Sequence, residues 1–176
     1  MAGKLLMGVP ALALMLFAGN AQAADILPNP TLEGGVALAN VSISVGDLER
    51  STKFYQALGF AVGDRHEVPG TLAAKTLGTP PEDKLEVRFI SRNGMLIELV
   101  HIIPSSTKAA SPGAAGQLGL SNFAFRVDDV MRVAALIKAN GGTVLDSSHA
   151  TMGPTEFVFC GDPDGVRLEL VGPAKK

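Results

Sequence analysis

The stretch Asn122-Phe123-Ala124-Phe125-Arg126-Val127-Asp128-Asp129 decides how the rest of the chain is read. Its apolar residues fall at every second position, the period of a strand with one buried face. The two aspartates then offer an N-cap for a helix over Val130 to Ala139, because a short acceptor side chain can satisfy a backbone N–H of the first turn. Asn140-Gly141-Gly142 ends that helix. The same order stands earlier in the chain. Asn40-Val41-Ser42-Ile43-Ser44-Val45 alternates, Asp47 caps, and a helix is predicted from Leu48 to Leu58, stopped by Gly59.

Working outward, each copy continues with three strands. In the first they are Phe60 to Arg65, Leu85 to Ile90 and Met95 to Val100, the last two joined by Ser91-Arg92-Asn93-Gly94. In the second they are Thr143 to Leu145, Thr155 to Cys160 and Val166 to Val171, the last two joined by Gly161-Asp162-Pro163-Asp164-Gly165. Pro fixes φ and Gly accepts positive φ, so that turn is well marked. Aligning the copies puts Asn40 on Asn122, Val45 on Val127, Asp47 on Asp129, Gly94 on Gly165, Glu98 on Glu169 and Leu99 on Leu170. The chain therefore divides into a first βαβββ module at 36–103, a linker rich in Ser, Ala, Pro and Gly at 104–118, and a second module at 119–173.

Before the modules, Lys4 is the sole charge ahead of Asp25, an apolar run covers Leu5 to Phe17, and Ala21-Gln22-Ala23 follows. This is the pattern of a secretory signal over residues 1–23, cleaved after Ala23, with an exposed leader at 24–35. The run is shorter than the roughly twenty residues a membrane span needs. The expectation is a secreted, periplasmic protein with no membrane attachment after cleavage.

Composition narrows the function classes. Of 176 residues 47% are apolar and 18% charged, enough for a packed core. A net charge of −2 gives no broad basic surface for nucleic acid. With no Trp and one Tyr, base stacking and aromatic cation cages have little to work with. The single Cys160 cannot close an internal disulfide and reads as a small buried hydrophobe.

Strand parity assigns faces. Val41, Ile43 and Val45 should meet the helix, leaving Asn40, Ser42 and Ser44 on the other face; Phe123, Phe125 and Val127 leave Asn122, Ala124 and Arg126. Glu98 lies opposite Met95, Ile97 and Leu99, and Glu169 shares a face with Arg167, opposite Leu168 and Leu170. A buried carboxylate is costly without a cation, a donor or a proton. Arg126, Arg167 and Arg88 are expected near this face, either to satisfy a Glu or to hold a substrate carboxylate or phosphate. Glu86 and Glu156 take corresponding places in the two copies. His101 should face away from Glu98. His66 and His149 fall in loops, with His149 placed to overhang a cavity.

The stretch Val41 to Phe60, with Asp47-Leu48-Glu49-Arg50-Ser51, Phe54-Tyr55 and Leu58-Gly59-Phe60, resembles the opening of a vicinal oxygen chelate module of the glyoxalase/bleomycin-resistance/dioxygenase superfamily. Phe123 to Asp129 resembles the opening of its second module, and Asp162-Pro163-Asp164-Gly165 through Leu168-Glu169-Leu170 its close. The spacing is most similar to glyoxalase I and methylmalonyl-coenzyme A epimerase-like proteins. The resemblance implies an α+β fold of two βαβββ modules forming a curved, cavity-lined mixed sheet. It implies a divalent metal at Asn40, Glu98, Asn122 and Glu169. The two Glu match the family, whereas Asn stands where His is usual. Oxygen donors would suit Mg or Mn over Ni or Zn, and a site with no bound metal remains the other expectation. The implied activity is that of a lyase or isomerase that takes a proton beside a carbonyl of a small oxygenated metabolite. Glu98 and Glu169 are the candidate catalytic groups, and Arg126, Arg167, Arg88 and Ser42 the substrate contacts. The alternative is a metal-free ligand-binding or antibiotic-sequestering protein of the same fold. Family members often dimerise, so a homodimer is among the expected states.

Overall fold

A computed structural model describes residues 38–104 and 120–175. The signal-like segment, the leader and nearly all of the linker lie outside the described residues.

Two four-stranded sheets carry the chain. The first contains β1 (Val41–Ser44), β2 (Ala61–Val68), β3 (Lys84–Arg92) and β4 (Met95–Ile103) in the order β1-β4-β3-β2. Helix α1 (Leu48–Ala57) follows β1, and α2 (Gly70–Leu77) follows β2. The second sheet repeats the order with β5 (Phe123–Arg126), β6 (Thr143–Met152), β7 (Thr155–Gly161) and β8 (Arg167–Pro173), arranged β5-β8-β7-β6. Its helix is α3 (Val130–Ala139). In each sheet the first strand pairs parallel with the last and the other two pairings are antiparallel. The α+β, two-module reading of the sequence describes this architecture.

The repeated caps start both module helices alike. Asp47 accepts from the Arg50 backbone N–H at 2.9 Å, and Asp129 from that of Arg132 at 2.9 Å. Lys175 donates to Asp129 at 2.7 Å, beside the second cap. Both helices turn their apolar residues onto one shared core. Phe54, Tyr55, Ile97 and Leu99 of the first module join Val130, Ile137, Leu168 and Leu170 of the second. Burying apolar area is the main stabilising contribution here, at about 25 cal/mol per Å².

Most strands run longer than the sequence indicated. β2 reaches Val68, β4 reaches Ile103 and β6 reaches Met152, so His66 and His149 sit on strands rather than in loops. Helix α2 was missed altogether. Pro69 precedes it and Gly78, at φ 73°, closes it. Those are ordinary helix boundary signals, but the helix is only eight residues long and has no capping side chain of the kind that marks α1 and α3.

Candidate active site on the concave sheet faces

Residues paired directly across a ladder share a face. Ser42 and Phe89 both pair with Glu98, and Val87 pairs with Val100. This face lies away from α1. Helix α2 folds back over part of it, its Leu72 and Ala73 packing with Val68, Leu85, Val87, Val100 and Ile102. On the same face Glu98 is only 7% exposed. Its Oε2 accepts from Ser42 Oγ at 2.5 Å and from the Asn40 amide at 3.3 Å. Its Oε1 is buried and has no hydrogen-bond partner. Such an orphan acceptor in a low-dielectric site carries a desolvation cost that a donor or cation would relieve.

The second module repeats the geometry with less cover. Ala124 and Phe159 pair with Glu169, and Arg126 pairs with Val171 on the same face. The Asn122 amide donates to Glu169 Oε2 at 2.9 Å. Arg167 shares this face and lays its guanidinium 4.0 Å above the Phe159 ring, a cation–π contact. Arg126 is exposed at the end of its short strand.

Arg88 requires a correction. It pairs with Leu99 and so faces α1, where it bonds Glu49 and the Thr52 hydroxyl, both at 3.2 Å. A one-residue parity error separates the two faces of a strand, and Arg88 is on the wrong one to meet a ligand beside Glu98. Glu86 and Glu156 also lie on the helix side. Glu86 pairs with Arg65, and the 7%-exposed Glu156 bonds His149 Nε2 at 2.7 Å. His101 also faces away from Glu98, with Nδ1 3.6 Å from Glu86, too long for a hydrogen bond. Cys160 is buried at the core, and burial pushes its thiol up to about 11, which leaves it unreactive.

The module helices meet the second module's turn at one seam, which sequence reading did not anticipate. Tyr55 donates to Asp162 at 2.9 Å; Ser51 Oγ and the Gly46 N–H donate to Asp164 at 3.0 and 3.1 Å, and Arg50 pairs with the same carboxylate. Burial drives the Tyr55 phenol well above its usual range, and the Asp162 carboxylate adds to that push. Burial likewise raises Asp162 despite its three donors, Tyr55 and the backbone N–H groups of Val166 and Asp164.

Whether the four chelate positions could hold a metal rests on their donors. Two carboxylates and two amides make an oxygen set that suits a hard divalent ion, and the orphaned Glu98 oxygen lacks a partner of that kind. Both Asn side chains now give N–H groups to the carboxylates; half a turn of each amide would present oxygen instead. Each module carries half of the set. Among the described residues no group of three or more His, Cys, Asp or Glu could hold an ion.

This arrangement defines a class of protein: two βαβββ modules, each with a last-strand Glu braced by a first-strand Asn. The sequence model of the Glyoxalase/Bleomycin resistance protein/Dioxygenase superfamily matches residues 37–170, and the chain belongs to that family. It is 31% identical over 137 residues to a probable chloroplastic lactoylglutathione lyase of Arabidopsis thaliana, covering 76% of this chain and 35% of that protein. The chain thus spans about a third of that relative's length. It is 28% identical over 137 residues to the lactoylglutathione lyase of Salmonella typhimurium, covering 76% of this chain and 90% of the relative. The fold is similar to that of a glyoxalase family protein from Bacillus cereus. There the TM-score is 0.70 at 17% identity, covering 82% of this chain and 99% of that one.

Proposed function

We propose that the protein is a glyoxalase-type lyase or isomerase in which Glu98 removes a proton beside a carbonyl. One observation carries this: Glu98 is buried, fixed through one oxygen by Ser42 and Asn40, and bare on the other. A held carboxylate with a free lone pair can take a carbon-bound proton to give an enediolate and return it to the neighbouring carbon. Glu169 is the corresponding group of the second module, and Arg126 and Arg167 on its face supply positive charge for the developing oxyanion. Ser42 would turn its hydroxyl between Glu98 and substrate. Lactoylglutathione lyases among the relatives make a thiol hemithioacetal of a 2-oxoaldehyde the first substrate to assay.

A divalent ion, with Mg or Mn favoured by the oxygen donors, would be held by Asn40, Glu98, Asn122 and Glu169, and would supply Lewis-acid polarisation of the substrate oxygen. Because the donors are split between modules, a homodimer that faces one copy's first module with another's second goes with this reading. The apolar run to Phe17 and Ala21-Gln22-Ala23 support export to the periplasm, where a small free metabolite is the fitting substrate.

The test is turnover of the methylglyoxal–glutathione hemithioacetal, after chelation and after return of Mg, Mn, Ni or Zn. Glu98→Gln should lower kcat by about 10²- to 10⁴-fold. Full turnover in both Glu98→Gln and Glu169→Gln sinks the assignment. A metal-free binding role is the second reading, favoured by amides that already brace both carboxylates. Stoichiometric protection of a ligand without turnover would establish it.

A further inference from the structure

The seam between the modules has two ends related by the repeat, and only one of them is filled. At the filled end Asp164, the residue before Gly165, sits against Arg50, Ser51 and the Gly46 N–H of the first module. The repeat puts Asn93, before Gly94, in the place of Asp164, and Arg132 in the place of Arg50, three residues after the capping aspartate in each helix. At that second end the carboxylate is missing and a cleft of about 590 Å³ opens.

The cleft carries the charge to match the missing group. Arg92, Arg126 and Arg132 line it against a single acid, Asp128. Arg92 is laid across the C-terminal end of α1: a Cβ on Gly59, which has φ 86°, would lie 2.2 Å from its Nη1. The absence of a side chain there, and the carbonyl end of the helix, hold the guanidinium at the cleft edge. Behind the arginines the wall is apolar, with Phe60, Phe125 and Leu136 among its residues. Asn40, Ser42, Glu98, Asn122 and Glu169 do not line it.

We infer that this open end of the seam binds a small organic acid, its carboxylate among Arg92, Arg126 and Arg132 and its apolar body against Phe60 and Phe125. The filled end shows the chemistry within the same molecule: there the chain's own carboxylate takes an arginine, a hydroxyl and a backbone N–H. The ligand at the open end supplies from outside what Asp164 supplies from within. Arg126 reaches the cleft from the sheet face that carries Glu169, but neither Glu98 nor Glu169 lines it, so the site stands whether or not Glu98 is a catalytic base.

Calorimetric titration with octanoate, and with octanamide as its uncharged counterpart, tests this. Octanoate should bind one per chain, octanamide about tenfold or more weaker, and Arg132→Gln and Arg92→Gln should each weaken octanoate about tenfold. Asn93→Asp places a tethered carboxylate where Asp164 has its counterpart; it should abolish octanoate binding and raise the thermal midpoint. Circular dichroism checks that each variant is folded. The inference is overturned if octanoate shows no saturable binding, if octanamide binds equally well, or if folded Asn93→Asp and both arginine variants bind octanoate as the natural chain does.

Discussion

In the first module α2 packs on part of the sheet face that carries Glu98, and that residue is 7% exposed. In the second, β6 and β7 are joined by Gly153-Pro154 alone, and Glu169 on the matching face is only half-buried. The two copies agree in caps, strand order and the Asn–Glu pair, and they differ in what covers those parts. The difference teaches where each property resides. Strand parity and helix capping set the frame, which the copies share; loop insertions set the burial of the carboxylates, and with it their chemistry. The seam tells the same story, since one turn reaches across with two aspartates and its counterpart ends in Asn93.

The strongest way to break the comparison is to remove the contact only one copy makes. Asp162 is 2% exposed and accepts from Tyr55, Asp164 N and Val166 N. Asp162→Ala leaves one buried and two part-buried donors unpaired, and the expected loss is about 4 kcal/mol of unfolding free energy by urea titration. Tyr55→Phe removes one donor and leaves the turn's own two bonds, so about 1 kcal/mol is expected. Equal losses in the two variants would mean the turn does not depend on its internal bonds.

The cover over Glu98 can be broken separately. Ala73, on the side of α2 that meets the sheet, is 1% exposed. Ala73→Asp puts a charge among Val68, Leu85 and Val87 and should lift the helix from the sheet at a cost of about 2–3 kcal/mol. Hydrogen exchange should quicken over residues 70–77 and stay unchanged over α3. Equal quickening in both modules would show that α2 supports the shared core rather than one face.

The frame was legible in the sequence because it rests on local rules. Period-2 alternation marked β1 and β5, and the Asp N-caps fixed α1 and α3. Glu98 and Glu169 were found by matching Gly94 to Gly165 and counting on. Legibility failed where a single residue or a long-range contact decides. Arg88 fell on the wrong face because Leu85 and Val87, the apolar residues that alternate with it, pack under α2 rather than α1, and α2 was not foreseen. The hydrogen bond from Tyr55 to Asp162 joins residues far apart in sequence, so no local pattern marks it. Nothing local announces the cleft beside Arg92 and Arg132, since it arises from the mismatch between two turns.

The smallest expected effect sharpens the comparison through pH. Asp47 is held below its usual range, first by the Arg50 backbone N–H it accepts. A carboxyl with a lowered folded-state pKa binds its proton more weakly in the folded chain. The stability it gives is therefore full above the unfolded value of 3.8 and lost as pH falls through the folded one. Asp129 has the same sign, from Lys175 first and the Arg132 backbone N–H next. Asp162 has the opposite sign: burial raises it, so its contribution improves as pH falls from its folded value toward 3.8. On the acid limb of the stability curve the two caps and the buried turn therefore pull in opposite directions. Asp47→Asn keeps a capping side chain and should flatten that limb by about a few tenths of a kcal/mol, small because the side chain is exposed and screened. Asp162→Asn should steepen it. Urea titrations between about pH 5 and about pH 2.5 separate the two. If both variants shift the limb the same way, burial at the seam does not set the titration of Asp162.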